Sequence, residues 1–564
     1  MRRAAVLAVV VGAALAAPAA AWPHAALLKT FPVASVKLNT PPKEVRLTYS
    51  EAVEPRFAHV SVTDANGTQE ATAPPQRSPQ NADELVVPLR HLSEGWYLVF
   101  WRAISVDGHP VRGVFTFAVG PNEGPIPQFV TPSLSETAAT PSLVTARWAM
   151  FIAVMSAIGL LVLRLFVARP LRSPPRAITV AFWVSLAIAL VATPVYVLMA
   201  TAQFALRSAW DLGAVVPLMR TTAFGRSYLD LELLLALLAI AAGIALWVDR
   251  PARAKRSIAE LLATTGALLA ATGVLLVPGA GGHANQTSPR ALSVSLDWLH
   301  LASGSLWVGG LVGLLVLWRS LPAAERIAGL TICVPRFSNV ALGSVIVLLG
   351  TGVWASFLHL PTLDSLWETS YGKAIIVKAA LLLAAIVVAS FNLLRTKPGL
   401  VRAEYAPRAA VLLRRLVATE VLLVAAAVAV AAVLSSLAPP SKALGAIGKP
   451  SAKVGPGVVT STVSSHGYRL AFRVDPNKAA VPNTFRVAIS RGGKPVHGAT
   501  VIGTFTMLDM DMPALSYRLS ETTPGVYEHG APALVMVGHW GLSFQIEPRS
   551  GAPFDVVLLD RANG

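Results

Sequence analysis

The chain has 564 residues, of which 54% are hydrophobic and only 14% charged, a membrane composition that excludes an ordinary soluble metabolic enzyme. The formal net charge of +17 would point to nucleic acid in a soluble protein, but most of it sits in short loops between apolar spans, where membrane topology accounts for it and no nucleic acid is implied. Cys333 is the one cysteine, so disulfides, thiolate clusters and C-x-x-C redox chemistry are excluded, and a metal must be held by His, Met, Asp, Glu or a terminal amine.

Arg2 and Arg3 precede an apolar run from residue 4 to 15 and then the small residues Ala-Pro-Ala-Ala-Ala. This reads as a signal peptide over residues 1–23, cut after residue 21 or after residue 23. Cleavage chemistry favours the cut after Ala21, which leaves Trp22 first and His24 third. Pro23 then has no amide proton to give up, so His24 binds through its ring alone. The other cut leaves His24 first, where its amine and ring chelate together.

Residues 24–120 alternate like strands at 44–50, 58–64, 84–89, 96–104 and 111–119, with turns at Asn66-Gly67 and Glu94-Gly95. A small β-sandwich is expected, with Val45, Leu47, Val60, Val62, Leu98, Phe100, Phe115 and Phe117 in its core. Asp107 and His109 are two apart, so on a strand they share a face. One imidazole, one carboxylate and a second histidine or an amine suit Cu(II), and Zn(II) less selectively. His59 is expected to be an ordinary strand residue and His91 to lie in a loop. Residues 121–144 form a linker.

Eight apolar runs follow within 145–437, near 145–167, 177–200, 229–248, 258–278, 294–317, 338–358, 373–394 and 415–437. Each is long enough to cross about 30 Å of hydrocarbon. Arginines and lysines collect on alternate loops, around residues 164–176, 250–256, 319–336 and 395–415, which makes that side cytoplasmic. An even number of spans and the leader then put both terminal domains outside. His283, His300 and His359 fall near the outer face. Asp297 lies one helical turn from His300, and an ionisable group inside a span is a functional candidate. Gly309, Gly310 and Gly313 are expected to serve close helix packing. Cys333 falls on the cytoplasmic side as an ordinary thiol.

Residues 438–457 form a second linker, and 458–564 read as a second small β-sandwich. Met507, Met510, Met512 and Met536 fall within one thirty-residue stretch of it. Thioethers prefer Cu(I), imidazole can complete such a set, and His497, His529 and His539 are nearby. Met510 and Met512 share a face if extended. Core packing is the competing explanation for these methionines. The fold class expected is therefore a multi-domain membrane protein, with a helical domain of about eight spans between N- and C-terminal β-sandwiches.

The stretches HAALLKTFPVASVKLNTPPKEVRLTYSEAVE and LSEGWYLVFWRAISVDGHPVRGVFTFAVG resemble the CopC family of periplasmic copper-binding proteins. The resemblance implies Cu(II) binding by the mature N-terminal histidine and the Asp-x-His pair, which fall on His24, Asp107 and His109. Two features depart from the family: the Trp22-Pro23 pair, and the lack of any methionine in this domain, so the Met-rich Cu(I) site of some relatives is expected to be missing. RFSNVALGSVIVLLGTGVWASFLHL and its continuation to residue 394, with GGHA and DWLHLASGSLWVGGL before it, resemble the CopD family of copper-associated membrane proteins. That resemblance makes His283 and His300 candidate copper ligands. GKPVHGATVIGTFTMLDMDMPALSYRLSETTPGVYEHG followed by MVGHWGLSF resembles the YtkA-like family and implies an accessory role in copper handling. The order of the three is that of CopC–CopD fusion proteins.

These readings converge on a non-enzymatic protein that binds copper outside the membrane and imports it, as Cu(II) at the N-terminal domain and as Cu(I) in the membrane and C-terminal domains. The candidate ligands are His24, Asp107, His109, His283, His300, Met507, Met510, Met512 and His539. An external copper donor or reductant is an expected partner. No P-loop or phosphorylated-aspartate motif supports ATP-driven pumping. Two other readings remain open at this point: copper resistance by efflux or sequestration, and a haem-containing membrane oxidoreductase using the outer-face histidines.

Overall fold

The computed structural model describes residues 27–33, 36–49, 52–104, 110–121, 127, 140–171, 173–205, 213, 215–253, 255–282, 289–360, 362–402, 404–437, 450–479, 481–509, 514–535 and 537–563. The described chain divides into a helical unit and a β-rich unit, the latter holding both terminal domains.

In the N-terminal domain the strands are β1 (Leu27–Phe31), β2 (Lys37–Leu38), β3 (Glu44–Tyr49), β4 (His59–Asp64), β5 (Gln76–Arg77), β6 (Glu84–Pro88), β7 (Gly95–Ile104) and β8 (Pro110–Val119). They form two four-stranded sheets, ordered β1-β3-β6-β5 and β2-β8-β7-β4. Alternation drives the layering. In β3 and β6, Val45, Leu47, Leu85 and Val87 turn inward and are fully buried. Tyr49 and Trp101 meet edge to face across the core at 5.7 Å, and Gly113 leaves room for the Trp101 ring. β7 is buried on both faces, because Leu98 and Phe100 also cluster with Val114 and with Ala479 of the C-terminal domain. His59 lies on β4 and His91 in a connection, as their sequence contexts predict.

Among the described residues, the helical unit contains eight helices long and apolar enough to cross a membrane. They are α1 (Pro141–Val162), α2 (Arg176–Ala205), α3 (Ala223–Val248), α4 (Ile258–Gly281), α5 (Arg290–Ser320), α6 (Ala323–His359), α7 (Ser370–Phe391) and α8 (Ala406–Leu434). Their outward faces carry large exposed apolar side chains, such as Leu233, Leu237, Ile240 and Ile244 along α3. A stripe of that size is unfavourable in water and suits lipid. Two helices start earlier than the apolar runs indicate. α6 begins at Ala323 and runs 37 residues through Pro335, and α8 begins at Ala406. Charged residues at these ends leave the hydrophobic stretch without ending the helix.

Several polar groups of the bundle find internal partners. Asp249 pairs with Arg164 (3.0 Å) and Arg169 (3.1 Å), and Arg169 also reaches Glu260. Some of the basic charge that topology explains therefore also ties loops together. Ser257 and Glu260 form a capping box that starts α4. Arg147 of α1 bonds Ser435 (2.9 Å), Ser436 (2.6 Å) and Tyr196.

The C-terminal domain comprises β9 (Ala452–Lys453), β10 (Val459–Ser465), β11 (Tyr468–Asp475), β12 (Asn483–Arg491), β13 (Lys494–Pro495), β14 (Thr500–Met507), β15 (Leu515–Thr523), β16 (Val526–Ala531), β17 (Gly538–Glu547) and β18 (Phe554–Ala562). The two layers belong to one continuous ten-stranded sheet, since β15 pairs with both β14 and β16. Phe485 meets Phe505 at 4.2 Å and Phe472 meets Phe544 at 5.0 Å between the layers. His466 and Gly467, both at positive φ, make the tight β10–β11 turn.

Helix contact in the bundle depends on missing side chains. A methyl group on Gly159 would meet the Gly309 Cα at 2.6 Å, and one on Gly310 would strike the Phe337 ring. Gly350 faces open space. Gly309→Leu is therefore expected to separate α1 from α5 and destabilise the solubilised chain by roughly 1–3 kcal/mol or more, whereas Gly350→Ala leaves its melting temperature nearly unchanged. Thermal unfolding of both variants in detergent checks this, and equal melting would overturn the packing account.

Candidate metal-handling sites

His24, Asp107, His109, His283, Met510 and Met512 lie outside the described residues. For the Asp-x-His pair, the flanking strands are defined: β7 ends at Ile104 and β8 begins at Pro110, and these two residues pair. The predicted residues that can be located are His300, Met507 and His539.

In the C-terminal domain, register separates two of them. Met507 stands directly opposite Trp540 on the β14–β17 ladder, so both point to one face. That face is the interior, where Met507 is 2% exposed and Trp540 1%. His539 is one residue along and points to the other face. Strand parity buries the Met507 side chain, while its Cε and Asp509 Oδ2 both crowd Gly538, where a methyl group would meet them at 2.6 and 2.5 Å. His497 pairs with Glu521 at 3.3 Å, whose carboxyl is held below its usual range by hydrogen bonds from the Gly525 and Gly498 amides. His529 stacks on Tyr517 at 4.9 Å, and burial lowers its imidazole.

His539 has a built environment. Its Nδ1 lies 3.0 Å from Asp509 Oδ1, and its backbone amide donates to Asp509 Oδ2 at 2.8 Å. A carboxylate can only accept, so Nδ1 carries the proton and the Nε2 lone pair is left to coordinate. Such a carboxylate behind an imidazole fixes the ring and raises its basicity as a ligand. Met510 and Met512 follow Asp509 directly in the chain. On the interior face, Asp560 accepts from Asn477 Nδ2 at 3.0 Å, and burial pushes its carboxyl up to about 6.

In the helical unit, His300 of α5 places Nδ1 2.9 Å from Thr351 Oγ1 of α6. The Thr351 hydroxyl donates to Val347 O at 2.7 Å. Its single proton is used, so it accepts from His300 Nδ1–H, again leaving Nε2 free. Asp297, one turn earlier, approaches Gly279 of α4, where a methyl group would meet its Oδ2 at 2.8 Å. Lys378 of α7 interacts electrostatically with both Asp297 and His300. His359 ends α6. Cys333 is buried in α6 with its thiol on Val167 O.

Sequence reasoning missed Asp509, Thr351 and Lys378. Lys378 had a signal, a charge inside the apolar run AIIVKAALLL. Asp509 and Thr351 act through another side chain, which no spacing rule exposes. Among the described residues no group of three or more His, Cys, Asp or Glu stands together. The arrangement instead offers single, oriented imidazoles on different elements, suited to ligands completed by thioethers or by passage from one to the next.

Residues 27–120 match the CopC domain family, 332–434 match the family described as Copper resistance protein D, and 462–545 match the YtkA-like family. The chain is 27% identical to "Copper transport protein CutJ" of Bacillus subtilis over 93% of each. It is 36% identical to "Protein YobA" of Escherichia coli over 17% of this chain and 80% of that one. A solved CopC structure from Methylosinus trichosporium OB3b is 30% identical, covers 18% of this chain and 99% of its own, and has a TM-score of 0.17.

Asp509→Asn keeps an acceptor for the His539 amide but removes the charge behind the ring. Affinity for Cu(I), measured against a competing chelator, is expected to fall roughly 10- to 100-fold, with the melting temperature little changed. Met507→Leu, conservative in the core, should leave that affinity intact. Equal loss in both variants would reject the assignment of Met507 to packing.

Proposed function

From its matches to the CopC, Copper resistance protein D and YtkA-like families, we propose that this chain is a CopC–CopD fusion protein that binds copper outside the membrane and moves it inward across the cytoplasmic membrane. The observation that carries this reading is His300, an imidazole inside a membrane helix with Nδ1 bonded to Thr351 and Nε2 free. A polar ligand at that depth is costly unless it serves passage. Similarity over nearly the full length to a protein named for copper transport supports the same conclusion.

In this reading both β domains lie outside and the loops rich in arginine face the cytoplasm. His24, Asp107 and His109 take Cu(II) at the N-terminal domain. His539, oriented by Asp509, holds Cu(I) with Met510 and Met512 at the C-terminal domain, and Met507 supports the strand beneath. His283 and His300 receive the ion at the membrane. Conversion of captured Cu(II) to Cu(I) draws on an external reductant, and a separate copper donor is a natural partner.

Cells lacking the protein, grown under copper limitation, should take up less radioactive copper, and His300→Ala should restore little of it. Equal uptake with and without the protein would sink the import reading, and hypersensitivity with raised cell copper would replace it by resistance.

The N-terminal domain supplies a separate test. His109→Ala removes a proposed ligand from the connection between β7 and β8, so Cu(II) affinity should drop sharply while the sandwich stays folded. His91→Ala, altering an exposed residue of a connection, should do nothing. Titration of the protein with Cu(II) against a chelator decides, and unchanged affinity in His109→Ala would defeat this site.

A further inference from the structure

A second polar station lies deeper in the helical unit, on residues that the histidine site does not use. Glu420 of α8 is 2% exposed. Its carboxyl accepts a hydrogen bond from Asn392 Nδ2. Asn392 opens a π turn, Asn392–Thr396, at the end of α7, a feature often found where helices serve function. Thr396 Oγ1 donates to the Asn392 carbonyl oxygen at 2.6 Å and lies 2.9 Å from Asn392 Oδ1, while the amide nitrogen faces Glu420.

Glu420 borders a cavity of about 100 Å³ that also touches Trp307 of α5, Phe337 and Ser338 of α6, and Asn392 of α7. The lining is mostly apolar, and its polar members Ser338, Ser390, Asn392 and Glu420 are the groups at which a water could be held. No side chain that α5, α6 or α7 presents to it is titratable or charged. Arg414 and Arg415 of α8 are exposed, Arg414 lies over the Trp318 ring, and no ion pair joins Glu420 to any described cation. A carboxyl this buried, with a neutral donor alone, is an expensive group to keep for packing.

The two stations share helix faces. On α5, His300, Trp307 and Leu314 are spaced by seven residues, close to two turns each. Trp307 and Leu314 line the cavity. Lys378 and Ala385 of α7 and Asn392 of the π turn repeat the same spacing. This second stripe spans about 21 Å at 1.5 Å per residue, from Lys378, which interacts with His300, to Asn392, which bonds Glu420.

We propose that Glu420 is a proton-binding site at the inner end of this stripe, which releases its proton when the transported cation enters the path. The proposal rests on the transport reading above. A monovalent cation in a low-dielectric path lacks the solvation that water gives it, and a nearby carboxylate supplies the compensating charge. When Cu(I) arrives, the Glu420 O–H bond breaks, a water at the polar end of the cavity accepts the proton, and the carboxylate remains. One positive charge enters and one leaves, and no electron moves.

Infrared difference spectroscopy of the full chain in lipid nanodiscs tests this, with Cu(I) buffered by a chelator as the probe. The metal-free protein should show a protonated-carboxyl band that disappears on Cu(I) addition and is missing from Glu420→Gln. Glutamine keeps an acceptor for Asn392. Glu420→Asp should shift the band and keep its response, which covers the case in which Glu420→Gln fails to fold. A band that ignores Cu(I), survives in Glu420→Gln, or is lacking in the wild type overturns the proposal. Loss of the transport reading shows separately, as wild-type cells with no copper uptake.

Discussion

Hydrocarbon offers no hydrogen bonds, and that constraint organises the helical unit. Every polar group carried into the bundle must find its partner there or incur several kcal/mol. Backbone groups are satisfied by long helices. Side chains are satisfied by close neighbours, and closeness requires small residues where helices cross. The α1–α5 contact through Gly159 and Gly309 thus does more than fill space. It fixes α5, and α5 carries both His300 and the Trp307 wall of the inner cavity. Arg147 shows the same economy at another helix crossing, where hydroxyls of Ser435, Ser436 and Tyr196 surround a guanidinium without a carboxylate. Neutral acceptors satisfy its donors without adding a second buried charge.

The β-rich unit is built under the opposite constraint. Water satisfies its outer faces, so alternation alone sorts the residues. In β11, β12 and β14 every second side chain is buried, and β15 joins the two layers into one continuous ten-stranded sheet. This rigid alternation decides what can reach a ligand. It sends Met507 inward with Trp540, and it leaves His539 outside with Asp509 beneath the ring.

Much of this was legible in the sequence. Eight apolar runs gave eight helices, because hydropathy over twenty residues is a strong signal. The early starts of α6 and α8 were hidden: Glu325, Arg326 and Pro335 look like loop residues, although nothing in them stops a helix that leaves the hydrocarbon. β10 was also hidden, since VTSTVSS has no large apolar residue and buries one valine well. Residue type and proximity in the chain mark the candidate ligands. The burial of Met507 was not legible, because face assignment depends on register with β17, which is a long-range property. The partners Asp509 and Thr351 escaped because their role is to orient another group. Lys378 stood in plain view within an apolar run and was passed over in favour of histidines.

His300 and His539 have the same free atom, Nε2, but different groups behind the ring, and the difference follows from their surroundings. His539 backs onto the Asp509 carboxylate in a partly solvated position, with side-chain exposures of 15% and 26% for the pair. Negative charge there is cheap, and it strengthens the imidazole as a ligand. His300 backs onto a threonine hydroxyl inside the bundle. A carboxylate in that place would need its own compensation in low dielectric, whereas a hydroxyl that already donates to Val347 O fixes the tautomer at no electrostatic cost. The neutral arrangement also makes His300 the weaker ligand of the two. A station inside a pathway has to release its ion as readily as it accepts one, while an outer domain gains from holding it. Each orienting group thus suits the dielectric around it and the residence time its position calls for.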